Sequence, residues 1–310
     1  MTRTSMFYSI VLAFLFTAVA YPQSVGRKLQ AISVNVSAGT SQGSGTIFIK
    51  EIEGVQLTFI LTAYHVISGL RKVETRMVDG KEEKRAVYND AEITQEVFQD
   101  GRKVGKVTYA AKVICVDSRR DLALLLLRKE GKVFEDSGVL YTSDEIPDVG
   151  TNVLHAGSPG GLEIGGSATV TSGIISRVGV TISEFGGSDF GVFDQTTCPA
   201  LPGSSGGLIA KADTGEIVGV LTIGLRSSTG FNWMVPTRTI KKWLDEANMS
   251  WFYNDKVDKP RLSDLRKLQV IEVGGGEIKS GSFNSTEQQA LPSVRVAVPG
   301  LDGVGPAILY

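Results

Sequence analysis

A serine hydroxyl stays protonated near neutral pH. It attacks a carbonyl only when a base stands beside it, and that base needs a group to orient it. The 310 residues contain two histidines, His65 and His155, so the search for a base is short. His65 follows an apolar run in LTFILTAYHVISG, at the point where a strand gives way to an open end. Asp121 stands at the mouth of a second apolar run, SRRDLALLLL, where a carboxylate is half-sheltered and can hold an imidazole Nδ1–H. Ser205 lies in LPGSSGGLIA, inside a frame of small residues. Gly203 lets the backbone bend so that the amides of Gly203 and Ser205 point at one spot. Each such donor stabilises a developing oxyanion by about 3 kcal/mol. Gly206 and Gly207 admit other backbone behind the serine. Asp117 is a rival orienter, but no buried run follows it directly. Ser204 is a rival nucleophile, but the Gly-x-Ser-Gly-Gly frame centres on Ser205.

Chain order tests other hydrolase arrangements. Residues 203–207 also fit Gly-x-Ser-x-Gly, the nucleophile elbow of α/β-hydrolases, in which the histidine follows the serine. No histidine follows Ser205, so that reading fails. Asp121, His155 and Ser205 satisfy the subtilisin order, but that fold alternates strands with long helices, and the sequence shows one clear helix. His155, in HAGSPGG, is expected to pack beside a Gly-Pro turn rather than to do chemistry.

The elements that must hold these residues read as strands. Ile32, Val34 and Val36 alternate with polar residues, Thr46 to Lys50 resumes the pattern, and Val55 to Thr62 is rich in β-formers. Val107 to Val116 and Leu122 to Leu127 follow, the second almost wholly apolar and so expected to be central. Short β-runs continue at Asn152–Ala156, Ala168–Ser172, Gly179–Ser183, Gly191–Gln195, Gly207–Ala210, Ile217–Ile223 and Phe231–Val235. Many short strands punctuated by Gly and Pro predict an all-β barrel or sandwich. The helix comes late: Ile240, Trp243, Leu244 and Ala247 share one face after a Pro236-Thr237 start. Residues 71–106 carry 17 charged residues and read as a solvated insertion, a hairpin or loop. After Asn254 the composition loosens, so 255–310 is expected to be a flexible extension, whose last residues add a strand or stay disordered.

Net charge is −1, which argues against a nucleic-acid partner. Residues 1–20 pattern as a signal peptide, with Arg3 ahead of an apolar run and Ala18-Val19-Ala20 at its end. The alternative, a membrane anchor, has only Phe7 to Ala20, shorter than the roughly 20 residues a span needs. Export to a secreted or periplasmic location is the expectation, with no stable membrane span after signal removal. Cys115 and Cys198 then permit a disulfide, and two buried free thiols are the equal alternative. Asn35, Asn248 and Asn284 begin Asn-x-Ser/Thr sequons.

LTAYHVISG, DLALLLL and PGSSGGLI, in that order, resemble the three signature blocks of trypsin-like serine proteases, closest to the HtrA (Deg) branch. GSGTIFI, VLHAGSPGGL and VTSGIIS are similar to that branch too, and the resemblance covers roughly 30–250. It implies a protease domain over 25–254 built of two antiparallel six-stranded β-barrels, about 30–130 and about 145–235, with a helix about 237–248. It implies His65 as general base, Asp121 as its orienting acid, Ser205 as nucleophile and Gly203 and Ser205 as oxyanion donors, with neither cofactor nor metal. It places Pro199, Ala200 and Leu201 on one side of a specificity pocket and Thr222, Ile223 and Gly224, with Phe231 and Asn232, on the other. No carboxylate lies among them, which predicts cleavage of proteins or peptides after a small or medium apolar residue. Two departures stand out. His65 and Asp121 are 56 residues apart because of the charged insertion, and the roughly 60 residues after the helix do not resemble the PDZ domain usual in HtrA enzymes. Nor does an Ile-Val-Gly-Gly-like start suggest zymogen activation. A peptide-binding homologue without activity and a site-specific viral-type processing protease are the competing readings.

Overall fold

A computed structural model of the protein describes residues 24–78, 81–99, 102–161, 168–181, 192–225, 228–273 and 307–309. The signal peptide expected at 1–20 and the Gly-rich stretch after 273, Asn284 included, lie outside the described residues. Strands β1 (Ser33–Ala38), β2 (Ser41–Ile52), β3 (Val55–Thr62), β4 (Arg71–Val78), β5 (Lys81–Tyr88), β6 (Ala91–Gln99), β7 (Arg102–Asp117) and β8 (Leu122–Leu127) precede a second group. That group comprises β9 (Asn152–Gly157), β10 (Thr169–Val180), β11 (Phe193–Thr196), β12 (Leu208–Lys211), β13 (Ile217–Leu225) and β14 (Ser228–Pro236). The first sheet runs β7-β6-β1-β2-β3-β8 and closes by β7–β8 pairing; the second runs β12-β9-β10-β11-β14-β13 and closes by β12–β13. Each is a closed six-stranded antiparallel barrel, as expected. Strand β15 (Ile271–Glu272) adds to β7 in parallel, and β16 (Ala307–Leu309) adds to β13 antiparallel.

Strand β8 is buried at every position and pairs with both β3 and β7, which accounts for its unbroken apolar sequence. Closure leaves such a strand no solvated face, so period-2 alternation is lost. The charged segment 71–106 departs from the expectation of one solvated insertion. Its first part is a separate two-stranded sheet, β4–β5, but its second part supplies β6 and the start of β7, which belong to the barrel. Ile93 and Thr94 are buried, and Glu96 is buried in an ion pair with Lys103 across the hairpin.

Among the described residues, the α-helices α1 (Val25–Ala31), α2 (Tyr64–Ile67), α3 (Thr237–Glu246) and α4 (Leu262–Lys267) flank the barrels. Helix α3 has the predicted face, with Ile240, Trp243 and Leu244 buried, and Ala247 just after it. Arg120 forms a paired contact with Glu246 at 2.6 and 2.9 Å, which ties α3 to the turn before β8. Trp251 and Phe252 then stack edge-on against Phe59 of β3. A fully buried ring of this kind contributes about 1.5–3 kcal/mol. Residues 255–273, grouped by composition with a flexible tail, hold α4 and β15 against the first barrel, with Leu262 and Leu265 buried. Asn35 is fully buried on β1, which removes that sequon as an acceptor site in the folded chain. Cys115 and Cys198 are unpaired, buried thiols in separate core clusters, so the disulfide alternative is not realised. Burial pushes the Cys115 thiol up to about 12 and raises Cys198 as well, leaving both as protonated core groups. Among the described residues no helix is long and apolar enough to cross a membrane.

Candidate active site

Strand β3 ends at Thr62 and the chain turns at once into α2. Val66 and Ile67 bury that short helix in the barrel and leave the His65 side chain 21% exposed at its rim. Asp121 precedes β8 with φ +56°, in the left-handed region that Asp and Asn tolerate better than other side chains. Its Oδ2 accepts the His65 Nδ1–H at 2.7 Å and its Oδ1 accepts the His65 backbone N–H at 2.8 Å. A carboxylate only accepts, so Nδ1 carries the proton, and the neutral ring keeps its lone pair on Nε2.

Ser205 reaches this pair through the second barrel. Its hydroxyl donates to the Thr222 carbonyl at 3.4 Å, and the Thr222 hydroxyl donates to Asp121 Oδ2. Thr222 therefore touches both the His65–Asp121 pair and the serine. It was expected only as a pocket wall; its hydroxyl link to Asp121 joins residues 101 positions apart and leaves no local sequence signal.

The turn around Ser205 is held from three sides. The Ser44 N–H donates to the Ser205 carbonyl at 2.6 Å, and the Ser44 hydroxyl donates to the Gly203 carbonyl at 2.7 Å. The Thr62 hydroxyl donates in turn to the Ser44 carbonyl at 2.6 Å. Gly206 has φ +81°, and a Cβ there would lie 2.2 Å from the Ser44 carbonyl oxygen, so only glycine lets the two barrels meet behind the serine. The Pro202 carbonyl accepts the Gly160 N–H at 2.6 Å. In a trans peptide C=O and N–H point oppositely, so this contact turns the Gly203 N–H away from the 158–161 loop. Among the described residues, no protein acceptor takes the N–H of Gly203 or of Ser205. Two unclaimed amides on one turn can receive an oxyanion.

The rival residues are occupied elsewhere. Asp117 accepts the N–H groups of Arg119 and Arg120 at 2.9 and 3.0 Å and pairs with the Arg120 guanidinium at 3.1 Å. Burial raises its pKa above the usual carboxylate value. The Ser204 hydroxyl accepts the Leu201 N–H at 3.2 Å, which closes the same turn. Of the residues expected to line a specificity pocket, Ala200, Thr222 and Ile223 are buried, whereas Leu201 and Phe231 are half exposed. Asn232 is buried and donates its amide to the Cys198 carbonyl at 2.7 Å.

His155 lies on β9 within the second barrel, fully buried, with Nδ1 against the Leu208 carbonyl at 3.0 Å. Burial lowers its pKa to about 4. Between pH 6.5 and 4 the unfolded chain takes up a proton that the folded chain refuses, so stability falls as pH drops through that window. The loss is about 3 kcal/mol once pH 4 is reached. NMR titration is expected to show the His155 ring neutral at pH 5, with the urea midpoint falling below pH 6.5. A His155 midpoint near 6.5 contradicts this.

Known proteins similar to this chain are serine proteases by their descriptions. The Serine protease Do-like HtrA of Lactobacillus helveticus is 28% identical over 241 residues, covering 76% of this chain and 48% of that protein. The Probable periplasmic serine endoprotease DegP-like of Chlamydia trachomatis serovar D is 27% identical over 205 residues, covering 65% of this chain and 33% of that protein. The chain thus spans half or less of the length of these curated relatives. An inactive mutant form of Rv3671c from M. tuberculosis H37Rv shares the fold, with a TM-score of 0.50 and 16% identity over 72% of this chain and 90% of that one. Residues 43–220, more than half of the chain, match the model of the trypsin-like peptidase domain, and the chain belongs to that family.

Proposed function

We propose that this chain is an exported serine endopeptidase that hydrolyses peptide bonds through an acyl-enzyme. One observation carries the reading: Asp121 fixes His65 by two hydrogen bonds, while Thr222 links the same carboxylate to the Ser205 turn. In this reading His65 Nε2 takes the proton of Ser205 as Oγ bonds to the substrate carbonyl carbon. The N–H groups of Gly203 and Ser205 stabilise the oxyanion. Protonated His65 gives its proton to the leaving amine, and water repeats the sequence to free the acyl group. The apolar leader pattern at 1–20 and the description of the Chlamydia relative as periplasmic support a location outside the cytoplasm.

Fluorophosphonate labelling followed by peptide mapping tests the reaction. Label on Ser205 is expected; label elsewhere, or none on a folded chain, overturns it. For specificity we assign Pro199, Ala200 and Leu201 to one wall and Thr222, Ile223 and Gly224 to the other. The wall carries the neutral Asn232 and no carboxylate, so Lys or Arg would be buried there without a counter-charge. A peptide library is expected to give small or medium apolar residues before the cleaved bond, and a profile led by Arg contradicts it.

A further inference from the structure

Strand β13 runs past the serine with two edges. On one edge β14 pairs along its length, from Gly219↔Pro236 to Leu225↔Ser228. On the other edge β12 pairs only as far as Leu208↔Val220. Beyond that point Thr222 presents its carbonyl to Ser205, and the edge of Ile223, Gly224 and Leu225 lies open to a new strand. Open edges of this kind bind extended peptides through their main chain. The occupant is the chain itself. Residues 307–309 pair antiparallel with that edge, Ala307 opposite Leu225, Ile308 opposite Gly224 and Leu309 opposite Ile223.

The direction of this strand gives it meaning. From Ala307 to Leu309 the chain advances from Leu225 toward Ile223, and so toward Thr222 and Ser205. A substrate that offers a carbonyl to Ser205 has its preceding residues on the N-terminal side of that carbonyl. Those residues approach along the same edge in the same direction. Ala307–Leu309 therefore occupies the acyl side of the cleft as a substrate would.

We propose that residues 307–309 are a built-in, substrate-like strand that competes with peptide substrates for the Ile223–Leu225 edge. The proposal rests on the endopeptidase reading above. A tethered strand faces its site at an effective concentration in the millimolar range. Against a short peptide of weak affinity this raises the apparent KM by about tenfold. Competition of this kind leaves kcat unaltered, because saturating substrate displaces the strand.

The test uses the full chain, the Ile308→Pro variant and a chain ending at Pro306. Proline removes the N–H opposite Gly224 and is disfavoured within a ladder. Both altered chains are expected to show a KM about tenfold lower at equal kcat, and faster amide exchange at Ile223–Leu225. The synthetic peptide GPAILY, residues 305–310, is expected to restore the higher KM competitively. Equal KM and equal exchange in all three chains, with Ser205 still labelled by fluorophosphonate, overturn the proposal and leave the endopeptidase reading standing. Absence of label from every folded chain removes that reading and the competition with it.

Discussion

Replacement of Ser205 by Ala is expected to lower kcat by about a million-fold and to abolish fluorophosphonate labelling, because the attacking oxygen is gone. The fold should survive. Ser205 Oγ donates a long hydrogen bond, 3.4 Å to the Thr222 carbonyl, and its loss costs about 1 kcal/mol or less. The turn is held by other atoms: the Ser44 N–H on the Ser205 carbonyl, the Ser44 hydroxyl on the Gly203 carbonyl, and Gly206 packed against the Ser44 carbonyl oxygen. None of these contacts uses the Ser205 side chain. Ser204→Ala is the informative partner variant. It removes the acceptor of the Leu201 N–H and loosens the turn, but it keeps the proposed nucleophile, so it should still take the label. The measurement is kcat/KM on a peptide together with label stoichiometry and the melting temperature. Near wild-type turnover in Ser205→Ala, with loss in Ser204→Ala, reverses the assignment.

The sequence separates these two serines by a local feature, the glycine frame centred on Ser205. It also sets His65 and Asp121 each beside an apolar run that becomes a barrel strand, β3 or β8. Other parts lacked such a signature. Strand β6 was hidden because its charges, Glu92 and Glu96 among them, read as a solvated loop; a counter-charge on Lys103 across the hairpin is what allows Glu96 to be buried. Helix α1 buries only Leu29, too little to make a periodic pattern. Helix α4 and β15 lie between Asn254 and the Gly-rich stretch that starts at Gly274, and gain their order from the first barrel, through Leu262, Leu265 and pairing with β7. Ser44 was visible only as part of GSGTIFI, because its role is a set of contacts with Gly203, Ser205 and Ser158 more than 100 positions away. Strand β16 exists only because β13 offers an edge, and an edge is a property of the assembled barrel, not of nearby sequence.

Asp121→Asn is expected to cost on the order of ten thousand-fold in kcat with the fold intact, and the hydrogen bonds show why. The backbone at Asp121 has φ +56°, a conformation Asn adopts readily, so the substitution adds no strain at that residue. In wild type the carboxylate faces three donors: the His65 backbone N–H on Oδ1, and the His65 Nδ1–H and the Thr222 hydroxyl on Oδ2. An amide has one oxygen and one NH2. The backbone N–H of His65 cannot become an acceptor, so the amide oxygen must take the Oδ1 place and the NH2 the Oδ2 place. Thr222 adapts by rotating its hydroxyl to accept. His65 adapts by moving its proton from Nδ1 to Nε2, and then has no lone pair with which to take the Ser205 proton. The variant thus holds every heavy atom near its place and fails through one proton. NMR of the ring nitrogens is expected to report the Nε2–H tautomer, with a melting temperature within a few degrees of wild type. An Nδ1–H tautomer in Asp121→Asn, or turnover within tenfold of wild type, would show that Asp121 does not orient the base.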